Sequence, residues 1–412
     1  MNVQTGAIDW EQFERLGKAV AQAWKASDYD EERFPELAQA ALEAFDFDRT
    51  FDLGEAVRWI LTRSESPGTP QFADCHLTVF RTDRFVIDLN IWVHSGIVVH
   101  SHAFAGAFQV FAGSSFHAPF VFTPHRRLGS QLLLGAAEPR ALEYLVPGDT
   151  VAIRPGLGGL NHALVHRERP SATVVVRTDF LPWHEPQYEL LPPFIACAPH
   201  PASNRNRLMQ AHHGLRALFD TNPEAFARTL VEDVSRIDAP SLVQLFAACT
   251  HEIQVSGCLE ELIQAAVAHH PALDGLLAPV HRQRHRLQLL ERTRAKVVLD
   301  RELNTLSALL QWGRSREEIY GWIGRLDPSQ CDEATIVARL AQLFDKSALS
   351  LRLPEPARRP LLEAALSDED EGQMLQRAHA EYEMQPDADD KLRTIYQRLL
   401  GMPELAMLLA RA

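Results

Sequence analysis

The chain has 412 residues, 46% of them apolar, enough for two or three domains at roughly 100–200 residues each. Its 41 Lys and Arg against 54 Asp and Glu give a net charge of −13, which argues against a nucleic-acid partner held through phosphates. Five scattered cysteines without a CxxC exclude a disulfide framework and a zinc knuckle. No apolar run reaches membrane-span length, and the start, MNVQTGAIDWEQFE, has no leader pattern, so a cytoplasmic protein with no membrane partner is expected.

Residues 1–60 read as a helical collar. Trp10, Phe13, Leu16, Val20 and Trp24 recur at helical spacing, and Pro35 to Phe47 forms a second amphipathic stretch. The texture changes at about residue 71. Cys75–Phe80, Phe85–Val93, Val98–His102, Phe108–Phe111, Phe116–Phe122, Thr150–Ile153 and Thr173–Arg177 are short, β-branched or aromatic, and bounded by turn residues. Arg81 to Arg84 suits a hairpin connection, and Phe116, Ala118, Phe120 and Phe122 alternate to give one apolar face. Many short strands within 71–182 predict an all-β barrel or sandwich. Prolines crowd residues 183–203, which read as a linker. Residues 204–412 read as an all-helical domain. There Ser315 to Glu318 is a capping-box signature, Asp332 can cap a helix, and Asp368 to Glu371 suits a helix N-terminus or an exposed loop. His281 and His285 lie at i, i+4, but HRQRH lacks a zincin glutamate and is rich in arginine, so it reads as a solvated helix face.

Chemistry concentrates in two glycine-punctuated stretches. In GIVVHSHAFAGAFQVFAG, from Gly96 to Gly113, His100 and His102 stand two apart in a run of strand character, so both imidazoles share one face. Two neutral imidazoles are ready ligands for a borderline divalent metal. A third can come from the stretch Gly148 to His166, as His162 or its rival His166.

These stretches resemble the two motifs of the cupin superfamily. Gly96, His100, His102 and Gly113 fill the first; Gly148, Pro155 and His162 fill the second, with His166 where that family has asparagine. The resemblance spans residues of about 71–180 and implies a jelly-roll-like β-barrel, making the whole an α+β multidomain chain. No glutamate follows His102, where Gly106 and Ala107 stand, which points to the three-histidine type. Such cupins include thiol dioxygenases with non-haem iron, and FVIDLNIWVHSGIVVHSH is similar to the cysteine dioxygenase pattern. The Ser-His-Tyr set of those enzymes is missing from SATVVVRTDF, and no arginine lies on Cys75–Phe80, so the likeness does not extend to cysteine as substrate.

The resemblance implies an Fe(II)-dependent oxygenase acting on a small polar or thiol-type substrate. Zn, Mn or Ni would fit the same imidazoles, and Zn or Mn would imply an isomerase or hydrolase. A different class stays open: a non-catalytic cupin scaffold or sensor whose helical domain binds a protein partner, with a homodimer also conceivable. Candidate substrate contacts are Arg154, Arg177, Tyr144, Gln109 and His76, with His94 near by. Asn161, Ser101 and backbone carbonyls are candidates to receive the ligands' outer N–H groups.

Overall fold

In the computed structural model of the chain, alternation along Phe85–Trp92 sets the layering of its first half. Ile87, Leu89 and Ile91 join a core with Phe13, Leu16, Val20 and Trp24 of helix α1 (Glu11–Ala26). Asp88, Asn90 and Trp92 therefore point to the opposite face, and they too are buried. The structure describes residues 8–62, 73–93, 98–179, 183–198, 202–297, 300–346, 353, 357–382 and 388–409. His94 and Gly96 lie outside them.

The chain divides into two units, Met1–Gly214 with Ile237–Leu245, and Leu215–Arg236 with Phe246–Ala412. In the first, α1, α2 (Phe34–Ala44) and α3 (Leu53–Thr62) precede, among the described residues, eleven strands. These are β1 (Cys75–Arg81), β2 (Phe85–Trp92), β3 (Gly106–Ala112), β4 (Ser115–Leu128), β5 (Leu132–Pro139) and β6 (Glu143–Leu145), then β7 (Thr150–Ile153), β8 (Asn161–His166), β9 (Ser171–Thr178), β10 (Glu189–Leu191) and β11 (Ile195–Cys197). One sheet runs β1-β2-β9-β3-β7; the other runs β10-β11-β5-β4-β6, with β8 also on β4. All the pairings are antiparallel. The expected barrel is instead a sandwich, because among the described residues no ladder joins one sheet to the other.

The helices cover the outer face of the first sheet. Ala107 and Phe111 of β3, and Ala172, Val174 and Val176 of β9, complete the apolar core with Phe34, Leu42 and Phe51. Burying one such side chain contributes roughly 1.5–3 kcal/mol, so this layer anchors the sheet, whose inner face is polar along β1 and β2 and apolar along β3 at Phe108 and Val110. The hairpin expected at Arg81–Arg84 joins β1 to β2, with Thr82 N–H donating to the Phe85 carbonyl at 2.9 Å. Part of the stretch expected as linker is strand: β10 and β11 form a hairpin, and β11 pairs with β5.

The second unit is all-helical among its described residues. Its elements, including two helices partly assigned to the first unit, are α4 (Ala202–Thr221), α5 (Pro223–Asp233), α6 (Ala239–Ala248), α7 (Thr250–Ser256), α8 (Leu259–His269) and α9 (Leu277–Lys296). There follow α10 (Arg301–Trp312), α11 (Arg316–Leu326), α12 (Glu333–Lys346), α13 (Arg358–Leu366), α14 (Glu371–Tyr382), α15 (Asp389–Leu400) and α16 (Ala406–Leu409). The expected caps are made: Ser315 Oγ accepts from Glu318 N–H at 3.3 Å, and Asp332 Oδ1 from Thr335 N–H at 2.9 Å. The acidic run ends in a reciprocal cap in which Asp370 and Gln373 exchange bonds of 2.9 Å. The helix face expected to be solvated is not. His281 is buried, its Nε2 3.1 Å from the Thr250 carbonyl, and the Arg286 guanidinium is buried against the carbonyls of Leu310 and Gln311.

Candidate metal centre

The segment Val98–His102 is extended but forms single bridges rather than the expected strand. His100 pairs with His162 of β8 on one side and Glu189 of β10 on the other. His100 and His162 exchange both backbone bonds, each at 3.0 Å. A second tether fixes the next residue: Ser101 N–H donates to the Tyr188 carbonyl at 2.9 Å, and Tyr188 N–H donates to Ser101 Oγ at 2.8 Å. Ser101 thus faces away, and both flanking imidazoles turn to the other side.

The loop after β7 closes the arrangement. Gly156 N–H donates to the His102 carbonyl at 2.7 Å. Gly156 has φ +77, which favours glycine, and a Cβ on Gly159 would lie 2.1 Å from the Arg154 carbonyl oxygen. Only a chain without side chains at these two points turns tightly enough to reach His102.

One ring nitrogen each from His100, His102 and His162 lies within 4.8 Å of the others. Among the described residues, no other group of histidine, cysteine, aspartate or glutamate converges in this way. His102 Nε2 is 3.1 Å from His162 Nε2. Two nitrogens each about 2.1 Å from one ion, at roughly a right angle, stand that far apart. Two imidazole lone pairs facing at this distance need a proton or a cation between them, so the donor set fits a divalent metal ion. Burial holds all three imidazoles below their usual pKa, and neighbouring imidazoles push His102 and His162 further down. They are therefore neutral, as ligands must be.

The outer nitrogens are engaged. His100 Nδ1–H donates to the Val98 carbonyl at 3.0 Å, leaving Nε2 for a metal. His162 Nδ1 is 2.9 Å from His117 Nε2, and His117 Nδ1 is 2.7 Å from Glu143 Oε2. Of the expected acceptors, a backbone carbonyl serves His100, while Asn161 and Ser101 do not serve: Asn161 Nδ2 donates to the Leu157 carbonyl, and Ser101 bonds Tyr188. His117 and Glu143 carried no signal of their own in the sequence. The available hint was the alternation of Phe116, Ala118 and Phe120, which puts His117 on the other face of that strand.

Three residues expected around the site lie elsewhere. Arg154 is on the surface, paired with Glu36 at 2.5 Å. Gln109 faces the helices, donating to the Leu42 carbonyl at 2.9 Å and accepting from Arg49 at the same distance. Tyr144 donates to Ser114 at 2.7 Å and accepts from Arg167 at 3.0 Å. His166 shares the inner face of β8 but is stacked on Trp92, with ring centroids 4.7 Å apart, and its Nδ1 meets Ser115 Oγ at 2.9 Å. His162, not His166, joins His100 and His102.

Two candidates do line the sandwich interior. His76 Nδ1 meets Asn90 Oδ1 at 2.6 Å. Arg177 is buried with Asp88, Nε to Oδ2 2.7 Å, and its guanidinium lies over the Phe104 ring at 5.4 Å. The Phe104 ring in turn packs on His102 at 5.0 Å between centroids. The triad therefore packs on Phe104 and Phe108 of an apolar cluster, and Phe104 separates it from a polar patch of the inner face carrying His76, Thr78, Asp88, Asn90 and Arg177. The cysteines form no pair, and burial pushes the thiols of Cys197 and Cys249 up to about 12, which leaves them inert as nucleophiles. No described helix is long and apolar enough to cross a membrane. Compared with known proteins, the chain matches no family model and no curated protein.

Proposed function

We propose that this chain is a cupin-like, three-histidine, metal-dependent oxygenase that uses Fe(II) on a small polar substrate in the cytoplasm. The observation that carries the proposal is the convergence of His100, His102 and His162 within 4.8 Å. Three neutral imidazoles leave the full charge of a divalent ion and open coordination positions on one side. Iron, when bound, supplies the redox chemistry that an O₂-dependent oxidation needs.

The chain's own groups do the rest. His100 and His162 are locked in register by their paired backbone bonds, and His102 is held by the loop at Gly156. His102 and His162 are buried and His100 is half-buried, which limits the competition of water for the site. The polar patch beyond Phe104 favours a substrate with hydrogen-bonding groups, and Phe104 and Phe108 beside the triad favour a small one. The Arg177 charge is already answered by Asp88, so a substrate carboxylate gains little there. The unpaired cysteines agree with a reducing compartment.

The test is elemental analysis of the chain purified without a histidine tag, beside His100→Ala and His162→Ala. The expected result is about one iron per chain, lost in both variants. Zinc or manganese lost in the same way would replace the oxygenase with Lewis-acid chemistry. A folded chain without any metal would make the sandwich a scaffold and move the search for function to the helical unit.

A further inference from the structure

We infer that Glu143 and His117 are positioning residues for the metal site, a chain of two groups running from the surface through β4 to the third ligand. The inference rests on the three-histidine reading of the site. Its basis is the register of three neighbouring strands. His117 of β4 stands directly opposite Glu143 of β6, and Pro119, two residues further along β4, stands opposite His162 of β8. The strand β4 thus lies between the carboxylate and the ligand and carries the group that joins them.

The carboxylate sets the direction of the chain. A carboxylate only accepts, so the 2.7 Å contact is His117 Nδ1–H donating to Glu143 Oε2. In the tautomer that lets His162 ligate a metal, its Nδ1–H donates to His117 Nε2 at 2.9 Å. That leaves the lone pair of His162 on Nε2, the atom facing His102. The chain supports that tautomer of His162 and fixes the ring plane. The negative end also makes the bound imidazole a stronger donor. His117 is buried among the rings of Phe108 and His162, at centroid distances of 6.2 and 5.0 Å, so it holds one orientation.

Glu143 is the test point because its side chain is 53% exposed, so it can be replaced without opening the core. The probe is Co(II) added to the metal-free full-length chain, read by its visible d–d absorption and by competition titration. Glu143→Gln and Glu143→Ala should bind Co(II) about 10- to 100-fold more weakly, with shifted d–d bands and an unchanged melting temperature. His117→Gln, whose amide can accept from His162 and donate to Glu143, should retain more affinity than His117→Phe. His100→Ala should abolish binding in every background.

Two failures are distinguishable. If the parent chain binds no Co(II), or His100→Ala binds it as tightly as the parent, the metal-site reading itself is wrong. If parent and His100→Ala behave as expected while both Glu143 variants keep the parent's affinity and spectrum, the positioning role is overturned and the site stands.

Discussion

The Nε of Arg177 lies 2.7 Å from Oδ2 of Asp88, and each side chain is only 1% exposed. Thr78 adds a second bond to the carboxylate, its hydroxyl donating to Asp88 Oδ1 at 2.7 Å. Two charges so deep hold only as a pair, because each alone would bear its full desolvation cost. Asp88→Leu strands the Arg177 guanidinium and should cost about 3–5 kcal/mol in urea denaturation. The double variant Asp88→Leu, Arg177→Met should recover most of that loss. Equal stability of the single and double variants would count against the pair.

The two histidines of β8 separate just as sharply. His162 faces His102 at 3.1 Å, whereas His166 is stacked on Trp92 and bonded to Ser115. His162→Ala should lose bound metal, and His166→Ala should keep it while losing about 1–3 kcal/mol of stability from the broken stack and bond. Elemental analysis of both variants checks this. Metal retained by His162→Ala and lost by His166→Ala would reverse the assignment.

That choice was open in the sequence because His162 and His166 share a strand face, and only the register of β8 against its neighbours decides between them. The same limit hid His117 and Glu143. The alternation of Phe116, Ala118 and Phe120 is local and legible, but the meeting of His117 with His162, 45 positions away, depends on pairing across β4 and β8. Strands rich in β-branched and aromatic residues, such as Phe85–Trp92 and Thr150–Ile153, were legible. The strand Leu132–Pro139, reading LLLGAAEP, was not, since leucine and alanine carry no strand preference. The short strands of the 183–198 region were masked by prolines, which favour turns and edges. A barrel and a sandwich share the same strand texture, so closure of the sheet was not legible either.

The loop glycines tie that local texture to the site. A Cβ on Gly159 would stand 2.1 Å from the Arg154 carbonyl oxygen and 2.8 Å from that of Pro155, both backbone atoms. Gly159→Ala must therefore push the loop open, at about 1–3 kcal/mol. The displacement travels to Gly156, whose N–H holds the His102 carbonyl. The expected outcome is weaker Co(II) binding together with a lower melting temperature. Gly158→Ala, where a Cβ meets nothing within 4 Å, should leave both unchanged. Equal behaviour of the two variants would break the link from loop to ligand.

In the helical unit, His281 ties stability to pH. It is buried, with Nε2–H donating to the Thr250 carbonyl at 3.1 Å and the ring packed on Phe246 at 5.5 Å between centroids. Burial, the largest cause, pushes its pKa down to about 4 from the usual 6.5. The unfolded chain therefore takes up a proton first as pH falls. The contribution of His281 to stability is complete above about pH 6.5 and drains away between there and about pH 4. From pH 7.5 to pH 5.0 the loss amounts to about 2 kcal/mol. Other groups titrate over the same range, so the comparison is with His281→Gln, whose amide can still donate to Thr250 but takes no proton. Urea midpoints of the two chains should diverge as the buffer is acidified, the parent falling faster. Parallel midpoints across that range would show that His281 stays neutral in the unfolded chain or is protonated in the folded one, and the burial argument would fail.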